Sequence, residues 1–489
     1  MKIAVRNFGI IREAEIDLKP LTIFVGPNNM GKTWLAYALA GIFGSHGHFG
    51  YLEDYEKEDA STIYPSLQRA VEQVINKGNA TFDIYQFAKK SGETYFNNVA
   101  QSVQRWMTEY MSTELASFEE LSVSINLDET KTDFLEQILR YSLRAEIAGA
   151  DEKSRLTISK KRGDRRILAY TSTHYASSDD NLSEEPTEEQ LPSEVIKEVL
   201  TREVFEIIHR AIYRNVRILP TERTTFIAYP PHIRSIDRGE LLRIREQRSQ
   251  QKVKTILGPV GYFLAMVQST FEDESAERVR REKDAKNNPK IREYIELAQL
   301  LESQILGGEV DFFPSELSFS QPSPQEEIYP TRDILFRPTL ESKLELSIAS
   351  SMVKELSPLL FYLRYLARPR ELLVIDEPEM NLHPEAQVKM IEFLAILINA
   401  GLNILITTHS PYVIDHLTNL IKAYEAEDKE RICSEFYLQR SDAFISKESV
   451  SVYLFDQGQA RKVIDEEGVI DLDTFGQVSD HISEIYFKL

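Results

Sequence analysis

An α/β fold with a mainly parallel sheet, entered through N-terminal antiparallel strands and interrupted by large, mostly helical insertions, is predicted by three observations. Strands alternate with helical segments at both ends of the chain, the rhythm of a parallel sheet with helical crossovers. The segments Leu21–Val25, Leu372–Ile375 and Asn403–Ile406 are almost continuously apolar, as expected for strands covered on both faces. Each of the three ends abruptly in glycine, carboxylate or hydroxyl residues and is followed by a helical stretch.

Taken in order, Lys2 to Asn7 and Ala14 to Leu18 read as two short strands, and Leu21 to Val25 as a third that runs into Gly26, before an apolar helix from Thr33 to Phe43. From 51 to 214 the pattern becomes mixed and mainly helical (Ser66 to Asn76, Asn97 to Tyr110), with strand-like interludes at Leu121 to Leu127 and Leu156 to Ser159. Within it, Ser177 to Glu194 is acidic and proline-containing and reads as a surface loop. Asn215 to Leu219 returns as a strand ending in Pro220-Thr221-Glu222-Arg223, and 232 to 306 is helical and densely charged, suggesting a hairpin or lid. After a Pro- and Ser-rich stretch the sheet resumes with strands at Lys343 to Ile348, Leu372 and Asn403 to Ile406. Helices are expected at Met352 to Ala367, Pro384 to Asn399 and from Tyr412, then a strand at Val450 to Phe455, a charged turn and a last helix. The resulting division is 1–50, 51–214, 215–230, 231–320 and 321–489.

Composition narrows the class. The chain of 489 residues is 42% apolar and 27% charged, so most of it should fold around substantial cores. A net charge of −20 argues against wholesale wrapping of nucleic acid, whose phosphates such a surface repels. Local basic runs at Lys160 to Arg166 and from Arg238 to Lys254 depart from that average; such runs are most often solvated faces. Cys433 stands alone, which excludes an intrachain disulfide and a Cys-rich metal site and suits a reducing compartment. With neither a signal-like N-terminus nor an apolar run of membrane-spanning length, cytoplasmic residence is expected.

Gly26-Pro27-Asn28-Asn29-Met30-Gly31-Lys32-Thr33 fits the pattern G-x-x-x-x-G-K-[ST], and it lies between a strand and a helix as the chemistry requires. Glycines let backbone N–H groups wrap phosphates, the lysine reaches the β and γ phosphates, and the threonine hydroxyl ligates Mg²⁺. Met30 contributes only backbone. Asp376 and Glu377 end an aliphatic strand at the carboxyl edge where open α/β sheets bind ligands. Asp376 is expected to hold the Mg²⁺ and Glu377 to polarise the attacking water. His409, directly after the Asn403 strand, is expected to contact the γ-phosphate. ATP with Mg²⁺ is therefore the expected ligand.

These pieces resemble an ABC-type ATPase head of the SMC/RecF/OLD branch. The matching residues are Asn7-Phe8-Gly9, the Gly26 loop, Asp376-Glu377-Pro378-Glu379 with Asn381-Leu382-His383-Pro384, and Thr407-Thr408-His409-Ser410. Leu219-Pro220-Thr221-Glu222-Arg223 is similar to a segment of bacterial ATPases of this branch, including those of anti-phage systems such as Septu, PARIS and Gabija. The resemblance implies a head-to-head homodimer or higher homo-oligomer with ATP sandwiched between two copies. Ser350 and Ser351, in Ile348 to Leu356, stand where the partner-facing signature segment would be, although its Ser-Gly-Gly glycines are missing. The family's Q-loop glutamine has no evident counterpart, and neither does the glutamine-bearing coupling loop of a transporter ATPase.

OLD relatives often carry a fused nuclease domain. Asp471-Leu472-Asp473 has the required Asp-x-Asp spacing but reads as a turn close to the C-terminus, so no nuclease site is expected in this chain. The resulting expectation is an ATPase whose ATP-sandwiched dimerisation regulates or scaffolds a separate effector, a nuclease or toxin, in anti-phage defence. The alternative is a RecF/SMC-like ATPase of genome maintenance, for which DNA is the partner.

Overall fold

The computed structural model describes residues 1–57, 63–113, 118–148, 154–173, 191–228, 258–272, 274–314, 332–339, 341–470 and 485. Ser177 to Gln190 of the expected acidic loop, the basic run from Arg238 to Lys254 and Asp471 to Asp473 lie outside them, while the last two residues of that expected loop, Ser193 and Glu194, open the helix Ser193–His209 instead. The chain divides into two compact units: one is Met1–Ala4, Ile42–Trp106 and Ser122–Asn215, the other Val5–Gly41, Met107–Leu121 and Val216–Leu489.

The first unit joins helices, among them Pro65–Lys77, Lys131–Arg140 and Ser193–His209, to an antiparallel sheet. After β1 (Lys2–Phe8), β2 (Ile11–Asp17) and β3 (Leu21–Val25), the chain forms β4 (Asn79–Asp83), β5 (Ser122–Asn126), β6 (Leu143–Ala148), β7 (Ser154–Lys160) and β8 (Arg166–Thr173). Strands β4, β8, β7 and β6 pair in that order. Only β5 and β7 had strand-like sequence signals; β4 and β6 are short and polar on alternate residues, so no apolar run announces them. The Lys160 to Arg166 run is the connection between β7 and β8, with Lys161 to Arg166 exposed and Gly163 at φ +89°. Lys160 itself is buried and donates to Leu139 O and Tyr141 O (3.3 and 2.8 Å), closing the end of the helix Lys131–Arg140.

The second unit contains the expected mixed α/β layer, a large sheet mainly parallel at its centre. With β9 (Val216–Leu219), β10 (Glu309–Pro314), β11 (Arg332–Thr339), β12 (Ser342–Glu345), β13 (Leu372–Asp376), β14 (Asn403–Thr408), β15 (Val450–Asp456) and β16 (Gln459–Lys462), the order from β1 is β1-β2-β16-β15-β3-β14-β13-β9. β3 is parallel to both β14 and β15, and β13 to both β14 and β9. Every residue of β3 and β13 is buried, as their sequences required. The register sets Val25 beside Thr408, Asp376 beside Thr407, and Ile375 beside Leu219, so four strands end at one edge.

Three expected elements differ. Lys343 to Ile348 is not a strand of the main sheet: β12 stops at Glu345, a tight helical turn covers Leu346–Ile348, and β12 belongs to a separate antiparallel sheet β10-β11-β12. The charged turn after Phe455 is a hairpin, because Gln457 and Gly458 both take positive φ (48° and 78°), the two-residue turn whose twist suits adjoining strands. The helix expected from Met352 to Ala367 runs as Ser351–Phe361 and then widens into a π turn over Tyr362–Leu366. Among the described residues no helix is long and apolar enough to cross a membrane.

Candidate nucleotide site

The loop after β3 is built by its glycines. Gly26 has φ +139°, and a Cβ there would lie 2.4 Å from the carbonyl oxygen of Phe455 on β15. Gly31 has φ +87°, and its Cβ would meet the Ile11 side chain at 2.8 Å. No other residue fits either position, so the two glycines set the path that Pro27, Asn28, Asn29 and Met30 follow. Pro27, Asn28 and Asn29 are exposed, while Met30 is half-buried. The helix Lys32–Phe43 begins at once, directing its free N–H groups towards the loop.

Lys32 is 4% exposed and donates to the carbonyls of Gly26 (2.9 Å) and Pro27 (2.7 Å). Burial pulls its ammonium down to about 8, a shift opposed by the carboxylates of Glu377, Asp376 and Glu379. Thr33 donates from Oγ1 to Asp376 Oδ1 at 2.8 Å, joining the loop to the end of β13. Asp376 is also held by the hydroxyls of Tyr37 (3.1 Å, to Oδ2) and Thr407. Burial raises its pKa, and the hydroxyls of Thr407, Thr33 and Tyr37 oppose that rise.

Glu377 turns away from the strand in a left-handed conformation (φ +46°), its N–H donating to the Thr407 carbonyl and hydroxyl oxygens (3.2 and 3.1 Å). Its Oε1 lies 3.0 Å from His409 Nε2, and the hydrogen bond to that histidine holds the carboxyl below its ordinary value, with both side chains 29% exposed. The His409 N–H and the Thr408 hydroxyl both donate to Glu379 Oε1 (2.7 and 2.6 Å), so the buried Glu379 fixes the end of β14. The structure thus brings Lys32, Thr33, Asp376, Glu377 and His409 together at one sheet edge.

Ser350 and Ser351 sit at the start of the helix Ser351–Phe361, both exposed. Ser350 is the N-cap, its Oγ accepting from Val353 N at 3.4 Å, and the neighbouring Ile348 is 70% exposed. Among the described residues no contact joins either serine to the five residues above.

Sequence reasoning missed Arg223. It follows β9, is 1% exposed, and donates to the carbonyls of Pro220 (2.9 Å), Asp376 (2.7 Å) and Glu377 (3.0 Å), while pairing with Glu355 Oε2 at 2.9 Å. Its signals were its place after an apolar strand and the Leu219-Pro220-Thr221-Glu222-Arg223 resemblance, neither of which gave the side chain a role. Tyr37 was likewise unread, and Thr407 entered only as part of the Thr407-Thr408-His409-Ser410 resemblance, because nothing local in sequence marks a hydroxyl whose acceptor is distant in the chain.

The residues suit Mg²⁺ and a triphosphate. A hydroxyl and a carboxylate stand within hydrogen-bonding reach of one another, as ligands of a hard cation do, beside a buried ammonium and a glycine loop that excludes side chains.

The AAA ATPase domain family matches residues 1–414. No curated protein matches the chain. Among solved structures it is similar to an SMC head bound to the C-winged helix domain of ScpA (12% identity over 94% of this chain and 96% of that one, TM-score 0.35). It is also similar to the SMC head domain from Thermotoga maritima (12%, 95% and 97%, 0.30). A third likeness is to the recombination mediator protein RecF-ATPrS of the RecFOR pathway (10%, 94% and 97%, 0.33).

Proposed function

This chain belongs to the AAA ATPase domain family, and on that premise we propose that it binds ATP with Mg²⁺ and hydrolyses it as an ABC-type head of the SMC/RecF/OLD branch. The observation that carries the reading is the convergence of Lys32, Thr33, Asp376, Glu377 and His409 at the carboxyl ends of three adjacent strands. The backbone from Gly26 to Thr33 and the Lys32 ammonium bind the phosphates. Thr33 and Asp376 are the residues that would hold Mg²⁺, which neutralises phosphate charge when bound. Glu377 accepts the proton of the attacking water at a carboxylate oxygen, and His409, hydrogen-bonded to that carboxylate, orients it and faces the γ-phosphate.

On this reading 1–50, 215–230 and 321–489 form the head, and 51–214 and 231–320 are insertions upon it. Two copies close over the nucleotide, each offering Ser350, Ser351 and the helix N-terminus behind them to the other's phosphates. The exposed position of both serines beside the exposed Ile348 supports that role. The closed dimer regulates or scaffolds a separate nuclease or toxin in anti-phage defence. Steady-state hydrolysis by wild type, Lys32→Ala and Glu377→Gln tests the chemistry: wild-type rates in both variants would refute it. Weighing the chain with and without ATP tests the dimer.

A second reading has one observation in its favour. Lys161, Arg162, Arg165 and Arg166 are exposed together on the β7–β8 connection of an otherwise acidic chain, which suits a RecF/SMC-like ATPase that grips DNA. Duplex binding that weakens steeply with salt, and weakens at low salt when these four are changed to alanine, would favour it.

A further inference from the structure

We propose that Arg223 is a positioning residue that, through Glu355, makes the Asp376–Glu377 turn and the helix Ser351–Phe361 move as one body. The inference rests on the ATPase reading above and deepens it. It ties the geometry of the hydrolytic carboxylate to the seating of the helix that begins at Ser351.

Parallel pairing of β9 with β13, Leu219 beside Ile375, brings Pro220 level with Asp376 and the following residues across the end of β13. From there the Arg223 guanidinium reaches three separate stretches of chain. Nη1 donates to Pro220 O and Asp376 O, Nη2 donates to Glu377 O and pairs with Glu355, and Nε donates to Glu355 O at 3.4 Å. Both side chains of the pair are essentially without solvent contact. Glu355, in the second turn of its helix, accepts from Asn381 Nδ2 at 3.0 Å with its other oxygen. Asn381 lies in the segment that leads away from Glu377, and both residues take positive φ (60° and 46°).

This arrangement differs from an ordinary buried ion pair in what it grips. Arg223 binds the carbonyls of the two acidic residues' own peptides, so the guanidinium occupies neither carboxylate of Asp376 and Glu377 while fixing the backbone that aims them. A left-handed backbone at a non-glycine residue persists only where its surroundings over-determine it. Arg223 and Thr407 supply that constraint at Glu377, one at its carbonyl and the other at its N–H. Moving the helix away would strip the guanidinium of its buried carboxylate partner, so the helix and the turn shift together or not at all.

The test uses the full chain as wild type, Arg223→Lys, Glu355→Gln and the double variant. Arg223→Lys keeps the charge and loses the fork; Glu355→Gln keeps the shape and loses the charge. Turnover, ATP affinity by isothermal titration and the melting temperature are measured for each. ATP-driven mass increase is measured with Glu355→Gln placed in the Glu377→Gln background. The expected result is a kcat lower by about 100-fold in each single variant with the ATP Kd changed by less than about threefold, and a double variant no slower than the slower single. The mass increase with ATP is lost. A kcat within about threefold of wild type despite a lowered melting temperature, losses that multiply in the double variant, or an unaltered mass increase would each overturn the coupling. Should Arg223→Lys fail to fold, Glu355→Gln decides alone. Wild type without turnover overturns the ATPase reading and this inference with it, whereas wild-type turnover with unaffected variants overturns only this inference.

Discussion

Raising the pH from 7 to 9 should weaken nucleotide binding through one side chain. Lys32 is buried against the carbonyls of Gly26 and Pro27, and that burial pulls its ammonium down to about 8 from 10.5. A triphosphate needs the charged form, and its own charge restores the ordinary pKa in the complex, so binding above pH 8 must take up a proton. With the free group titrating near 8, about ten lysines in eleven are charged at pH 7 and about one in eleven at pH 9. The affinity should then fall about tenfold across that interval, equivalent to ~1.4 kcal/mol. An ammonium at its ordinary value would leave the affinity nearly flat over the same range. Isothermal titration with a slowly hydrolysed ATP analogue at saturating Mg²⁺ reads this directly. Repeating the titration at pH 8 in buffers of different ionisation enthalpy should reveal uptake of about half a proton. Equal affinities at pH 7 and 9 in the wild type would refute the argument that the loop desolvates Lys32.

Glu377→Gln should keep ATP binding while lowering kcat by about 100-fold or more, because the carboxylate proposed to receive the proton is lost; a single-turnover assay beside an equilibrium titration checks both halves. Lys32→Ala should abolish measurable binding in the same titration and remove the pH dependence with it. Gly26→Ala should weaken nucleotide binding strongly, since its Cβ would meet the Phe455 carbonyl at 2.4 Å and the loop must shift; a comparison of Kd with far-UV circular dichroism separates that shift from unfolding. The first unit should be acid-labile. His48 and His209, joined through Tyr95, are pulled by burial to about 3 and about 4, below their value of 6.5 in the unfolded chain. The unfolded chain therefore binds more protons, so stability is full above pH 6.5 and is lost as the pH falls towards 4, by up to about 1.4 kcal/mol per pH unit for each histidine. Denaturant midpoints measured from pH 7 to 4.5 should fall, and His48→Phe should flatten the fall.

What the sequence determined was local. The Gly26 to Thr33 loop was legible because a phosphate cradle demands glycines, lysine and hydroxyl at fixed short spacings. Asp376, Glu377 and His409 were legible because acids or imidazole directly after an aliphatic strand have few other reasons to be there. The central strands were legible because burial on both faces forces an almost unbroken apolar run. Tertiary structure alone decided what holds those groups. Thr33 meets Asp376 across 343 residues, Tyr37 and Thr407 close on the same carboxylate, and a single arginine after β9 grips the peptides of both acids. Such partners are ordinary hydroxyls and charges whose meaning lies in which strand ends beside which, and strand order is fixed by packing of the whole sheet. For the same reason the polar strands β4, β6 and β16 were invisible: their pairing comes from neighbouring strands or from backbone angles at a turn, not from an apolar run.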